Sequence, residues 1–182
     1  MEDWKKVIWS DESPFELYAT PNRDNDRVWA KTTKDVPRIL SVKFPLKINV
    51  WGLMSHQALS ELHIIPQGQT VKSLYYRDEI LANTCRDAIN RTETMGLISE
   101  QPMLGYMSDF IFMQDGSPVH TTKMTLKWCR DSLNWLWENG DWLGNSPDLN
   151  QIENLWSILK ERANEKGQMT NRNQLIESAK LA

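Results

Sequence analysis

Apolar and polar positions switch between two periods along the chain. Lys6-Val7-Ile8-Trp9-Ser10-Asp11 is a short apolar run that ends in an acid, the pattern of a buried strand. Lys47 to Met54 and Leu59 to Ile65 are two more strand runs around Ser55-His56-Gln57-Ala58, which predicts a hairpin. The period then lengthens. Leu74, Leu81, Cys85 and Ala88 recur at helical spacing, so residues 71–90 read as an amphipathic helix. Phe110-Ile111-Phe112-Met113 returns to strand character and again runs into an acid, Asp115.

Beyond it, Thr121 to Ser132 reads as a helix with Met124 and Trp128 four apart, and Leu133 to Trp137 as a short strand. A helix over about 149–165 carries the apolar stripe Ile152, Leu155, Trp156 and Leu159. Asp148 with Gln151 three residues later makes a capping box at its start. A last helix covers about 173–181. Two stretches rich in breakers interrupt this order. Residues 16–45, with Pro21, Asn22, Pro37 and Pro45, predict an irregular excursion with one short strand at Arg27-Val28-Trp29-Ala30. Residues 91–108, with Gly96, Pro102 and Gly105, read as a loop. Antiparallel strands come first and a strand–helix–strand alternation follows. That order predicts one α/β domain over 1–182, a mixed five-stranded sheet with helices on its faces.

Composition changes this picture in three ways. With 40% apolar and 25% charged residues the chain falls in the ordinary globular class. Most of the nine tryptophans lie inside apolar stretches and are expected in the core. No apolar run reaches the roughly 18 residues a membrane span needs, and Met1 to Lys6 lacks a signal peptide's apolar stretch. The two cysteines, Cys85 and Cys129, lie in separate helical segments and suggest no disulfide framework, so a reducing compartment is expected. Twenty-four acidic against 21 basic residues give a net charge of −3. A dedicated duplex-DNA binder is usually basic, so charge alone does not point to nucleic acid.

The acids at the strand ends carry the chemistry. If the strands ending at Asp11 and Asp115 are parallel neighbours, their tips lie about 5 Å apart. Carboxyl ends of strands in open α/β sheets commonly form ligand sites. Two aspartates there repel unless a cation sits between them, and carboxylate oxygens suit hard cations such as Mg²⁺ or Mn²⁺. Glu153 borders the buried stripe of its helix, three residues before Trp156, and can face the sheet edge as a third ligand. Three converging carboxylates make a hypothesis of two-metal phosphoryl transfer. Each acid also has a plain reading: a strand-terminal Asp as a turn residue, a helical Glu as solvated surface.

The residues around those acids resemble the catalytic domain of the Tc/mariner superfamily of cut-and-paste transposases, over nearly the whole chain. The matching stretches are Val7-Ile8-Trp9-Ser10-Asp11-Glu12-Ser13, Val50-Trp51-Gly52 and Met113-Gln114-Asp115-Gly116-Ser117-Pro118-Val119-His120. The most specific is Trp142-Leu143-Gly144-Asn145-Ser146-Pro147-Asp148-Leu149-Asn150-Gln151-Ile152-Glu153-Asn154-Leu155-Trp156. The resemblance implies a ribonuclease H-like fold, with Asp11, Asp115 and Glu153 as catalytic, metal-binding acids of a DDE-type transposase. It implies two Mg²⁺ or Mn²⁺ ions, cleavage of DNA at transposon ends, joining by a 3′-hydroxyl at TA targets, a possible homodimer, and the nucleus as compartment. Glu as the third acid resembles Tc-like members. The 37 residues between Asp115 and Glu153 imply a long-spacing subgroup, with the extra length around Asn134 to Asp141. Gly116 stands where Asn is usual and Gln151 where Pro is usual.

The family also places paired helix-turn-helix modules before its catalytic domain and continues past the last helix. On that resemblance the recognition modules are expected outside this sequence and the C-terminus is expected to be truncated. A domesticated or catalytically idle remnant, acting as a nucleic-acid-binding or interaction module, is the alternative. Among the remaining candidates, His120 matches a family histidine and is expected either to orient a phosphate or water near the site or to satisfy local backbone groups. Ser117 and His120 beside an acid lack the nucleophile elbow of a hydrolase. His56 and His63 lack further ligands at zinc-like spacing. Lys5-Lys6 and the lysines from Lys31 to Lys43 are modest basic clusters, either DNA-phosphate contacts or a solvated face.

Overall fold

Strand β1, Val7–Glu16, is the spine on which the rest is built, in a computed structural model that describes residues 3–17, 29–32, 34–35, 45–90, 110–133, 136, 149–165, 169 and 171–182. A single 3₁₀ turn, Asp3–Lys6, leads into it. On one side β1 pairs antiparallel with β2, Lys47–Met54, from Trp9↔Met54 to Glu16↔Lys47. On the other it pairs parallel with β4, Ile111–Met113, from Val7↔Ile111 to Trp9↔Met113. Strand β3, His63–Ile64, pairs antiparallel with β2, giving the order β3-β2-β1-β4. The hairpin expected from the pattern is present. Ser55 turns it, its Oγ accepting from the amides of Gln57 and Ala58, and Met54 bridges to Leu59.

The described residues give four strands where five were expected. The fifth position is marked by one parallel bridge, Phe112↔Leu136, inside the stretch 133–137 read as a strand.

Strand alternation sorts the core into two halves. Val7, Trp9, Phe15, Ile48, Val50 and Met113 face one way, onto α4 (Gln151–Glu165) and α5 (Arg172–Lys180). Ile8, Trp51, Leu53 and Phe112 face the other way, onto α3 (Lys123–Ser132) and the helical segment 73–90. That segment is α1 (Ser73–Tyr75), a π-helix (Tyr76–Cys85) and α2 (Arg86–Asn90). The helix expected over 71–90 is therefore there, with Leu81 and Cys85 of the expected stripe buried and Ala88 packed beside them. Tyr76, Ile80, Leu81 and Cys85 are buried, whereas Leu74 is exposed. Five-residue hydrogen-bonded turns bring positions four to five apart onto one face, which a 3.6-residue period does not anticipate.

On α4 the expected stripe holds: Ile152, Trp156 and Leu159 are buried, with Leu155 packed beside them. Helix α3 starts at a Thr122 cap, whose Oγ1 accepts from the Thr125 amide, and α5 at an Asn171 cap that accepts from the Gln174 amide. Met124, paired with Trp128 by spacing, is exposed. Of the tryptophans in described residues, Trp9, Trp51 and Trp156 are core, while Trp4 and Trp29 lie exposed. Trp29 and Ala30 are not in a strand. The proposed cap Asp148, the loop 91–108 and most of 16–45 lie outside the described residues.

Gly52 of β2 is where α4 comes closest to the sheet. A Cβ built there would meet the Trp156 ring (Cη2) at 3.0 Å and Leu62 Cδ2 at 3.3 Å. Gly52→Ala is therefore expected to lower stability by about 1–3 kcal/mol through overpacking, measured as a lower urea midpoint at unchanged slope. An unchanged midpoint would mean that the ring is not seated on this glycine.

Candidate active site

Sheet register brings the two aspartates to one edge. The parallel pairing Trp9↔Met113 ends two residues before Asp11 on β1 and two before Asp115 beyond β4, so the acids stand level on adjacent strands. Asp115 lies just past the end of β4 and Asp11 midway along β1, which runs on to Glu16 where the sequence pattern ended it at the acid. By alternation Asp11 lies on the face covered by α4, opposite Gly52 of β2. Its Oδ2 accepts a hydrogen bond of 3.0 Å from the Trp156 indole N–H. Burial, reinforced by the charge of Glu153, pushes the Asp11 carboxyl from its ordinary 3.8 up to about 7, against the hydrogen bonds from Trp156 and the Glu12 amide. Glu153 lies in the first turn of α4, is exposed, and is close enough to be the largest charge acting on Asp11. Helix α4 thus carries two residues that act on Asp11 three positions apart: an opposing carboxylate and a hydrogen-bond donor.

Asp115 belongs to a second arrangement. Its Oδ1 accepts from the Ser117 amide at 2.9 Å and from His120 Nδ1 at 2.5 Å. The other ring nitrogen of His120, Nε2, lies 3.1 Å from Glu12 Oε1. The imidazole is only 3% exposed and lies against the Tyr76 ring, with centroids 4.2 Å apart. Burial pulls the His120 pKa down, but the hydrogen bonds to Asp115 and Glu12 and their charges more than offset it, raising it to about 9. At neutral pH His120 is an imidazolium donating to both carboxylates. In return, the hydrogen bond from His120 holds the Asp115 carboxyl below its ordinary range despite burial. Behind the ring, Gln114 Nε2 donates to the His120 carbonyl and Gln114 Oε1 accepts from the Tyr76 hydroxyl.

The three acids singled out in the sequence fall into two sets. The charge of Glu153 acts on Asp11, while Asp115 is engaged by His120. Among the described residues no three His, Cys, Asp or Glu side chains already form a ready metal-holding group. The donor set nonetheless fits a hard cation: oxygen ligands only, with one carboxyl driven toward protonation by burial and then by the charge of its neighbour. Sequence reasoning missed Glu12, Gln114 and Tyr76. Glu12 sits beside Asp11 in the chain but points to the opposite face. No spacing rule joins residues 12, 76, 114 and 120.

The fold and this acid-bearing edge define a mixed α/β domain of ribonuclease H-like type. The chain's relatives are transposases of the Tc1 and Tc3 kind, and its structural neighbours are the Mos1 mariner transposase. It is 28% identical to the Tc1 transposase of Caenorhabditis elegans over 170 residues, 88% of this chain and 53% of that protein. It is likewise 28% identical to the Tcb2 transposase of Caenorhabditis briggsae over 171 residues, 87% of this chain and 52% of the relative. The Tc3 transposase of Caenorhabditis elegans is 26% identical over 165 residues, 86% of this chain and 42% of that one.

Among solved structures, the Mos1 strand transfer complex superimposes with a TM-score of 0.67 at 17% identity, covering 97% of this chain and 46% of that one. The catalytic domain of Mos1 mariner transposase gives 0.58 at 14% identity, covering 96% and 67%. No family model matches the chain. The chain spans about half the length of the curated relatives it matches.

Proposed function

We propose that the chain is the catalytic domain of a DDE-type transposase, which cleaves DNA at transposon ends and joins them to target DNA, with Asp11, Asp115 and Glu153 as the metal-binding acids. The observation that carries this reading is the Asp11 carboxyl, buried under α4 with the charge of Glu153 acting on it, level with Asp115 beyond the neighbouring strand. Burial first, and the charge of Glu153 second, raise that carboxyl to about 7. Such repulsion is relieved by a cation. It coincides with the similarity to the Tc1 transposase and to Mos1, a protein whose paired-end complex is known with Mn.

Asp11 and Glu153 would hold one divalent ion and Asp11 with Asp115 a second, either Mg²⁺ or Mn²⁺. When bound, such a pair activates water or a 3′-hydroxyl and stabilises the leaving oxygen of a phosphodiester. The protein's own groups do the rest. Trp156 holds one oxygen of Asp11 in place, and His120 with the Ser117 amide occupies Oδ1 of Asp115, leaving Oδ2 uncommitted. Recognition of specific end sequences, TA targets and dimer formation would draw on the parts of the relatives that this chain does not span.

The test is nicking of a transposon-end duplex by the purified chain, alone and fused to a helix-turn-helix module. Nicking is expected with Mg²⁺ or Mn²⁺, none with a chelator, and none by Asp115→Ala. Equal activity of wild type and Asp115→Ala would sink the catalytic reading and leave a domesticated, DNA-binding remnant.

A further inference from the structure

On the sheet face away from α4, a closed polar cluster of Glu12, Tyr76, Gln114 and His120 lies behind Asp115. His120 is almost fully buried, yet both of its ring nitrogens meet carboxylates: Asp115 at 2.5 Å and Glu12 at 3.1 Å. Each remaining degree of freedom of this imidazole is also restrained. Tyr76 covers the ring face. The His120 amide donates to the Ser117 carbonyl, and its own carbonyl accepts from Gln114. The Tyr76 hydroxyl in turn donates to Gln114, closing the circuit. A histidine that served only to fill the core would not need two anions, and one that served only to cap a turn would not need a second carboxylate from another strand.

The two anions come from different parts of the fold. Asp115 follows β4 on an irregular segment and is half-exposed, so nothing in regular structure fixes its side chain. Glu12 lies in the middle of β1, one residue after Asp11, with its backbone held in the ladder opposite Trp51. His120 therefore ties an acid outside regular structure to β1, the strand that pairs with both β2 and β4, beside the other aspartate. We propose that Glu12 and His120 are positioning residues: the Glu12 carboxylate orients His120, and His120 locks Asp115 so that its free oxygen stands in fixed relation to Asp11. The inference rests on the reading of Asp115 as a metal ligand. A ring held between a ligand carboxylate and a second anchor is the kind of outer arrangement whose loss weakens metal affinity without removing a ligand.

The relay makes a prediction that simple packing does not. In the relay the Glu12 side chain acts on Asp115 through His120, so their losses must overlap. Mn²⁺ binding to the folded chain, followed by titration calorimetry and electron paramagnetic resonance with circular dichroism as the folding control, is expected to weaken roughly 10–100-fold in both Glu12→Ala and His120→Ala. The double variant is expected to bind no more weakly than His120→Ala. Glu12→Gln, whose amide oxygen still accepts from Nε2–H, is expected to recover most of the loss. Should His120→Ala fail to fold, Glu12→Ala and Glu12→Gln carry the test, since the Glu12 side chain is 26% exposed and its truncation leaves little cavity. Mn²⁺ affinity of His120→Ala or Glu12→Ala indistinguishable from wild type, or losses that add in the double variant, overturn the relay. If Asp115→Ala also binds like wild type, or wild type binds no Mn²⁺, the proposed function falls and the relay with it. If Asp115→Ala binds weakly while Glu12→Ala and His120→Ala do not, the relay alone is wrong.

Discussion

Asp11→Asn is expected to abolish function while making the metal-free protein more stable at alkaline pH. The folded Asp11 carboxyl has its pKa raised from 3.8 to about 7, by burial first and Glu153 second. Its contribution to stability is therefore fully present below about pH 3.8 and is lost as pH rises through 7. Asparagine resembles the protonated acid in size and carries no charge, so the variant escapes that loss. At pH 8 it should exceed wild type by about 2 kcal/mol, well under the full shift because the side chain is partly open to solvent. At pH 4 the two should be close. Added Mn²⁺ should stabilise wild type at pH 8 and leave the variant nearly unchanged, because only wild type keeps the full set of acids. Nicking should fall roughly 10³-fold, the cost of losing several kcal/mol of metal-borne charge stabilisation. Urea unfolding of both proteins at pH 4 and pH 8 decides the first point. Equal pH slopes would show that Asp11 is not under the strain assigned to it.

Trp156 is expected to divide into two separable roles. Its ring is 2% exposed, meets Phe15 edge to face at 6.3 Å between centroids, and rests against Gly52. Trp156→Ala should therefore cost about 3–5 kcal/mol, among the larger single-site losses available to this core. Trp156→Phe keeps most of the apolar volume and should cost much less, but it removes the donor to Asp11 Oδ2. That hydrogen bond lowers the Asp11 pKa, so its removal should move the Asp11 titration above 7. Carboxyl carbon shifts of Asp11 in a pH series of the Phe variant are the measurement. A titration unchanged from wild type would reduce Trp156 to a packing residue.

These two experiments bear on the same strip of chain. Ile152, Trp156 and Leu159 place α4 on the sheet, and that placement sets Glu153 against Asp11. Burial energy of the stripe is thus what holds two carboxylates together against their repulsion. A sheet-edge site of this kind is costly to the empty protein, and a stability gain on neutralising it is the expected signature.

The starts of β1 and β2, the hairpin at Ser55 and the helix stripe on α4 were legible in the sequence. Each depends on local periodicity or on a short, ordered string of residues. The string Ser146-Pro147-Asp148-Leu149-Asn150-Gln151-Ile152-Glu153-Asn154-Leu155-Trp156 made the third acid recognisable, although its first three residues lie outside the described structure. Where local period misled, tertiary packing was the cause. Leu74 fits a helical stripe but is exposed, because the π-helical turns of Tyr76–Cys85 rotate other residues inward. Met124 and Trp29 look like core residues by type and are not.

By itself the sequence determined which acids follow the apolar runs, since strand and helix periods are properties of neighbouring positions. Only the tertiary structure decided how those charges are held. The Trp156 indole reaches Asp11 across 145 residues of chain, and His120 reaches Glu12 across 108. Such pairs arise when register and helix packing bring distant side chains within hydrogen-bond range, and no periodicity along the chain records that distance.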